Sequence, residues 1–115
     1  MNENVKVLIK NGDNLGFANL AGIDLNGVDL NNAKLHGTKL NDAKLNETNL
    51  SFADLGVADL SSANLSDADL TGASLRYAIL HGANLDSAIL INADLVGVDL
   101  GDVIFNNTNL NDAFM

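Results

Sequence analysis

Cysteine, proline and tryptophan are missing from this 115-residue sequence. Without cysteine there are no disulfides, no thiolate metal ligands and no cysteine nucleophile, and nothing demands an oxidising compartment. Basic residues are scarce: six Lys plus Arg stand against fifteen Asp plus Glu, a net charge of −9. A nucleic-acid partner is not expected, because binding its backbone needs a basic face. Aromatic residues are only 4% of a chain that is 47% hydrophobic, so the apolar mass is Leu and Ala rather than the rings that fill ordinary cores. Long apolar runs are missing too. Ala88-Ile89-Leu90-Ile91 is typical, far short of the roughly 20 residues a membrane helix needs. The first twelve residues, MNENVKVLIKNG, lack a signal peptide's apolar stretch and cleavage site. The expectation is one soluble domain, cytoplasmic and without a membrane partner.

What the chain does contain is a repeat. Leu stands at every fifth position from Leu15 to Leu100, and Phe105, Leu110 and Met115 continue the phase. Two residues before each of these twenty-one grid positions sits a small or β-branched residue, Ala in thirteen cases. Between the two, Asp or Asn appears thirteen times, as in Ala53-Asp54-Leu55. On an α-helix successive grid leucines would be offset by about 140° and scatter around the cylinder. A continuous strand fails as well, since five is odd and each repeat would flip its Leu to the other face. The pattern survives only if the chain turns once per repeat. The small residue and the Leu then point inward, and the other three residues point outward. Such a chain is a β-solenoid, with layers stacked through backbone hydrogen bonds about 4.8 Å apart. The lack of proline fits, because every coil must donate to and accept from its neighbours.

The repeats resemble the pentapeptide-repeat family, whose pattern is Ala-(Asp/Asn)-Leu-X-X, over residues 13–115. The resemblance implies an all-β fold, a right-handed quadrilateral β-helix with four repeats per coil. Residues 13–32, 33–52, 53–72, 73–92 and 93–112 are then about five coils, spanning roughly 24 Å. It also implies a bacterial source and raises a specific function, since some members mimic DNA, bind DNA gyrase in place of duplex and confer quinolone resistance.

Both ends of a solenoid expose unpaired strand groups and core leucines. Residues 1–12 are read as an N-terminal cap. Val5, Leu8 and Ile9 are spaced for a short amphipathic helix, with Asn11-Gly12 as its stop, although the β-branched composition also allows a strand. At the other end Phe105, Phe114 and Met115 break the Leu pattern. Two readings stand there: a homodimer stacked through the C-terminal coils, or Phe114 folded over the last layer. Asp13 falls at an inward position and marks the first repeat as an imperfect edge.

No catalytic motif emerges, and no metal or cofactor site is expected. His36 and His81 fall on adjacent faces two coils apart, out of reach of a shared metal. The acidic residues belong to a surface with no pocket, and the Asp and Asn between core positions serve turns. Glycines such as Gly22, Gly72 and Gly97 stand at outward corners, not at phosphate-loop spacing.

Two surfaces remain as candidates. Phe17, Gly37, Val57, Tyr77 and Gly97 form an outward stripe whose glycines leave notches for a partner, and Phe52 with Ile89 and Ile91 forms a second apolar spot. Residues 53–115 hold nine acids against Arg76, approaching the charge density of duplex DNA, about eight charges over three coils. Asp54, Asp59, Asp94 and Asp99 are the candidate mimic surface, although Lys34, Lys39 and Lys44 interrupt the second coil with positive charge. The leading expectation is a non-enzymatic binding or scaffold protein with an unidentified protein partner, and the alternative is a gyrase modulator.

Overall fold

The computed structural model describes residues 2–115. The chain opens with one helix, α1 (Asn2–Lys10), with Glu3 in its first turn and Lys10 in its last, both favourable to the helix dipole. Its end is closed by two bonds. Gly12 N–H donates to the Ile9 carbonyl and Asp13 N–H to that of Leu8, both at 2.9 Å, with Gly12 at φ +76°. This is a Schellman stop, and it settles the choice between helix and strand. It also accounts for Asp13, which is exposed rather than inward because its backbone belongs to the helix terminus. Val5 reaches the core and Ile9 packs against it, while Leu8 stays partly exposed.

From Asn14 onward, parallel backbone pairs join residues twenty apart, the length of four pentapeptides. The first side pairs Asn14, Lys34, Asp54, Ser74 and Asp94 in succession. Asn19, Lys39, Asp59 and Ile79 follow one another on the second side, Asp24, Lys44, Asn64 and Asn84 on the third, and Asp29, Asn49, Asp69 and Ile89 on the fourth. Inside lie the grid leucines. Leu25 through Leu80 are all fully buried, with alanines such as Ala58 and Ala63 filling the space between them. Thr38 and Thr48 bring hydroxyls into this interior, and each donates to the carbonyl three residues back, Leu35 at 2.8 Å and Leu45 at 2.6 Å.

One repeat shows why the five positions are as they are. In residues 54–58 every N–H finds an acceptor. Asp54 N–H donates to Ala33, Leu55 to Ser74, Val57 to Arg76 and Ala58 to Leu55. The fifth, on Gly56, has no carbonyl in reach and is taken by Asp54 Oδ1 at 3.0 Å. All thirteen Asp and Asn residues at this position accept the same bond from the residue two further on. The side chain therefore completes the corner, the turn role its place in the repeat suggested.

Each corner is a tight turn whose second residue is left-handed, at φ between 50° and 77°, except at Asp102. Gly, Asn, Asp and Ser account for most of these residues, as expected for this conformation. Phe17, Glu47, Phe52, Val57 and Tyr77 depart from this preference, and Val57, at φ +50°, is the one β-branched residue among them, strained by roughly 1–2 kcal/mol.

Candidate interaction groove

On the first side of the solenoid a shallow groove of about 510 Å³ runs between two corners. Phe52 forms one rim, Val57 and Tyr77 the other, and Ala53, Asp54 and Ser74 line it between them. The rim side chains are exposed, Phe52 by 61%, Val57 by 45% and Tyr77 by 58%. The two rings are held in place from below. A Cβ added to Gly72 would lie within 3.0 Å of the Phe52 ring, and one added to Gly97 within 3.0 Å of the Tyr77 ring. Each ring rests on the glycine one coil further along. Phe17 does the same over Gly37, and its ring meets that of His36 edge-on, with centroids 5.8 Å apart at 74°.

This corrects the expectation of open notches in the stripe. The notches at Gly37 and Gly97 are filled by rings of the same chain, because glycine has no side chain to oppose them. The grouping of the candidates also changes. Phe52 joins Val57 and Tyr77 around one groove, while the Gly72 coil separates it from Ile91, whose carbonyl accepts the Gly72 N–H at 2.9 Å. Ile89 is exposed on the fourth side and Ile91 is half-buried at its corner.

Two polar pairs lie along the first side. His36 Nδ1 is 3.2 Å from Asp54 Oδ1, and Arg76 Nη1 donates to Asp94 Oδ2 at 2.9 Å. The signal for both is a basic residue followed eighteen positions later by Asp, a spacing that sequence reasoning passed over. Asp94 is held below the ordinary carboxylate range, first by the Val96 N–H and then by Arg76, with burial partly opposing them. Arg76 is raised above its ordinary value, chiefly by its hydrogen bond to Asp94. Because Asp94 titrates lower in the folded chain, its stabilisation is present above the unfolded value and fades as pH falls through the folded one.

The four candidate mimic residues divide between two sides. Asp54 and Asp94 lie on the first, beside His36 and Arg76, and Asp59 and Asp99 belong to the second. Arg76 therefore weakens the acidic field around Asp94 on the first side. His81, the other histidine, has its own carboxylate, with Asp102 Oδ2 at 2.7 Å. Among the described residues no group of three or more His, Cys, Asp or Glu is placed to hold a metal, and no helix is long and apolar enough to cross a membrane.

At the C-terminal coil Phe105 is half-buried against the core. Phe114 does not fold over the last layer. It pairs through its backbone with Asp94, takes the outward position of the first side and is 62% exposed. Met115, at a grid position, is 69% exposed.

Comparison with known proteins agrees with this architecture. The family model for pentapeptide repeats matches in eight copies, over residues 14–46, 39–76, 53–90 and 90–115. A pentapeptide repeat protein of known crystal structure from Nostoc PCC 7120 is 40% identical, at TM-score 0.69, with 82% of this chain and 81% of that chain covered. Another, from the Arabidopsis thaliana thylakoid lumen, is 28% identical at TM-score 0.52 over 94% of this chain and 68% of that one. A third, HetL of Nostoc PCC 7120, involved in heterocyst differentiation regulation, is 34% identical at TM-score 0.46 over 90% of this chain and 47% of that one. No curated protein gives a significant match.

Proposed function

The chain belongs to the pentapeptide-repeat family, whose members fold as right-handed quadrilateral β-helices, and from that premise we propose that it is a non-enzymatic binding or scaffold protein. The twenty-residue register supports a reading of residues 13–112 as about five coils behind a short helical cap. The observation that carries the reading is the first-side groove, whose aromatic rims rest on glycines of the next coil. Rings fixed in this way lose little conformational entropy when a partner covers them, which favours binding. Exposed Phe and Tyr beside the satisfied Arg76–Asp94 pair also make a typical protein-contact surface.

The test is affinity capture from the source cytoplasm with the intact protein as bait, followed by titration of the captured partner. Phe52→Ala and Tyr77→Ala are each expected to weaken binding by about tenfold or more, with little dependence on salt. Binding that survives both changes would overturn the groove as the contact.

A second reading rests on charge. The three C-terminal coils carry nine acids against Arg76, a density favouring a DNA-mimicking modulator of gyrase. Inhibition of gyrase supercoiling that fades with added salt, and that is lost when Asp54, Asp59, Asp94 and Asp99 become Asn, supports it. Asn keeps the corner acceptor, so this variant removes charge and leaves the turn intact. No inhibition at tens of micromolar removes the reading. Homodimerisation belongs to the same proposal. With Phe114 directed outward, an end-on contact rests on Phe105, Leu110 and Met115, and a single-chain mass by light scattering would exclude it.

A further inference from the structure

One step of the backbone ladder is open. On the second side Leu20 N–H donates to Lys39, Leu40 to Asp59 and Leu60 to Ile79, each at 2.7 Å. The next bond in the series, Leu80 to Asp99, is not made. Gly82 N–H likewise lacks the Gly101 carbonyl and Asp99 N–H lacks that of Ala78, although Ser62 and Ile79 make the equivalent bonds one coil earlier at 2.8 and 2.9 Å. The other three sides stay closed at this level, with Leu75 bonded to Asp94, Leu85 to Ile104 and Leu90 to Asn109 at 2.8, 3.0 and 2.7 Å. The opening is confined to residues 98–102, a strap anchored at Val96 and Ile104.

Bulk at the inward position does not explain it. Val103 is the same residue as Val98 at the inward place of the next repeat, yet there Ile104 N–H donates to Ala83 and Leu85 N–H to Ile104, both at 3.0 Å. The corner residue does differ. Asp42, one of its counterparts on the same side, is left-handed at φ +61°, and its N–H donates to Ser61 at 2.9 Å. Asp102 is not left-handed, and its carboxylate is turned onto His81 at 2.7 Å. One His–Asp contact stands where three ladder bonds would be.

We propose that residues 98–102 form a two-state strap, closed on the ladder when Asp102 adopts the conformation of Asp42 and sprung when Asp102 pairs with His81. Histidine changes charge within the physiological range, and an imidazolium pairs with a carboxylate more strongly than neutral imidazole does. Acidification therefore springs the strap. The titratable groups around His81 are Asp102 itself, with Asp99 and Tyr77 lining the same pocket of about 220 Å³, and no Lys or Arg lines it. The sprung strap opens the N–H groups of Leu80 and Gly82, an unpaired strand edge within the body of the rod.

Amide exchange on the full chain tests this, read as protection factors at pH 5.5 and 7.5 so that the chemical rate cancels. Leu80 and Gly82 are expected to be at least about tenfold less protected than Leu60 and Ser62, with the gap widening at the lower pH. His81→Ala is expected to restore protection to near that of the counterparts and abolish the pH dependence. His81 is well exposed, so this change leaves the core intact. Asp102→Asn should likewise remove the pH dependence. Equal protection in the unmodified chain, or exposure that persists unchanged in His81→Ala, overturns the proposal.

Discussion

Leu60→Ala is expected to lower stability by about 3 kcal/mol, within the range found for fully buried leucines cut back to Ala. Leu60 has no exposed surface and belongs to the middle of the stack, with Leu40 and Leu80 at the same position one coil to either side. A solenoid layer touches only its two neighbours, so a void in a central layer weakens two interfaces and cannot be closed by repacking from elsewhere. With total stabilities typically about 5–15 kcal/mol, the loss is a large share of the whole. The comparison is Leu15→Ala in the first coil, where the side chain is only half-buried. That change should cost about 1 kcal/mol, in proportion to the smaller area already removed from water. Urea unfolding of both variants checks the pair. Equal losses would mean that the leucine ladder is not a layered core with a protected centre.

Gly72→Ala should cost about 2–3 kcal/mol, whereas Gly22→Ala should cost about 1 kcal/mol. Both glycines are left-handed, at φ +67° and +70°, so any added Cβ meets similar backbone strain. They differ in what lies above them. A Cβ on Gly22 meets nothing within 4 Å, while one on Gly72 collides with the Phe52 ring. The difference between the two variants therefore isolates the ring contact. In a Phe52→Ala background the cost of Gly72→Ala should fall to that of Gly22→Ala, a coupling of about 1–2 kcal/mol in a double-mutant cycle. Absence of coupling would mean that the ring moves aside freely and that the groove rim is not fixed from below.

The architecture was legible because its signal was repeated. A period of five excludes helix and strand by angle alone, and the buried Leu25-to-Leu80 series is the inward set that the period defines. The corner role of Asp and Asn was legible too, since short acceptors next to turns have few other uses. Four repeats per coil came only with the family resemblance, and that number decides which residues meet between layers. Once twenty is known, Phe17 with Gly37, Phe52 with Gly72 and Tyr77 with Gly97 read as ring-on-glycine contacts. The stripe already placed Gly37 and Gly97 in that register, yet both were read as vacant notches, because the direction in which a ring leans is not written in the sequence. The groove was harder to see, because Phe52 and Val57 sit at successive corners and only the flat side between them makes them two rims of one surface. The open strap could not be read at all. Asp occupies left-handed corners at Asp42, Asp67 and Asp112, and only the position of His81 sets Asp102 apart.

The corner acceptor has a consequence for how such a chain can change over time. Seven of the thirteen residues that close corners are Asp and six are Asn, and both offer the same Oδ1 to the same N–H. A single-base exchange between these two residues is thus nearly silent to the architecture but shifts the formal charge by one. Converting all seven aspartates would carry the chain from −9 to −2 with every corner still closed. Electrostatic character can drift, or be selected, almost independently of foldability. Chains sharing this scaffold can then diverge in what they attract or repel long before they diverge in shape.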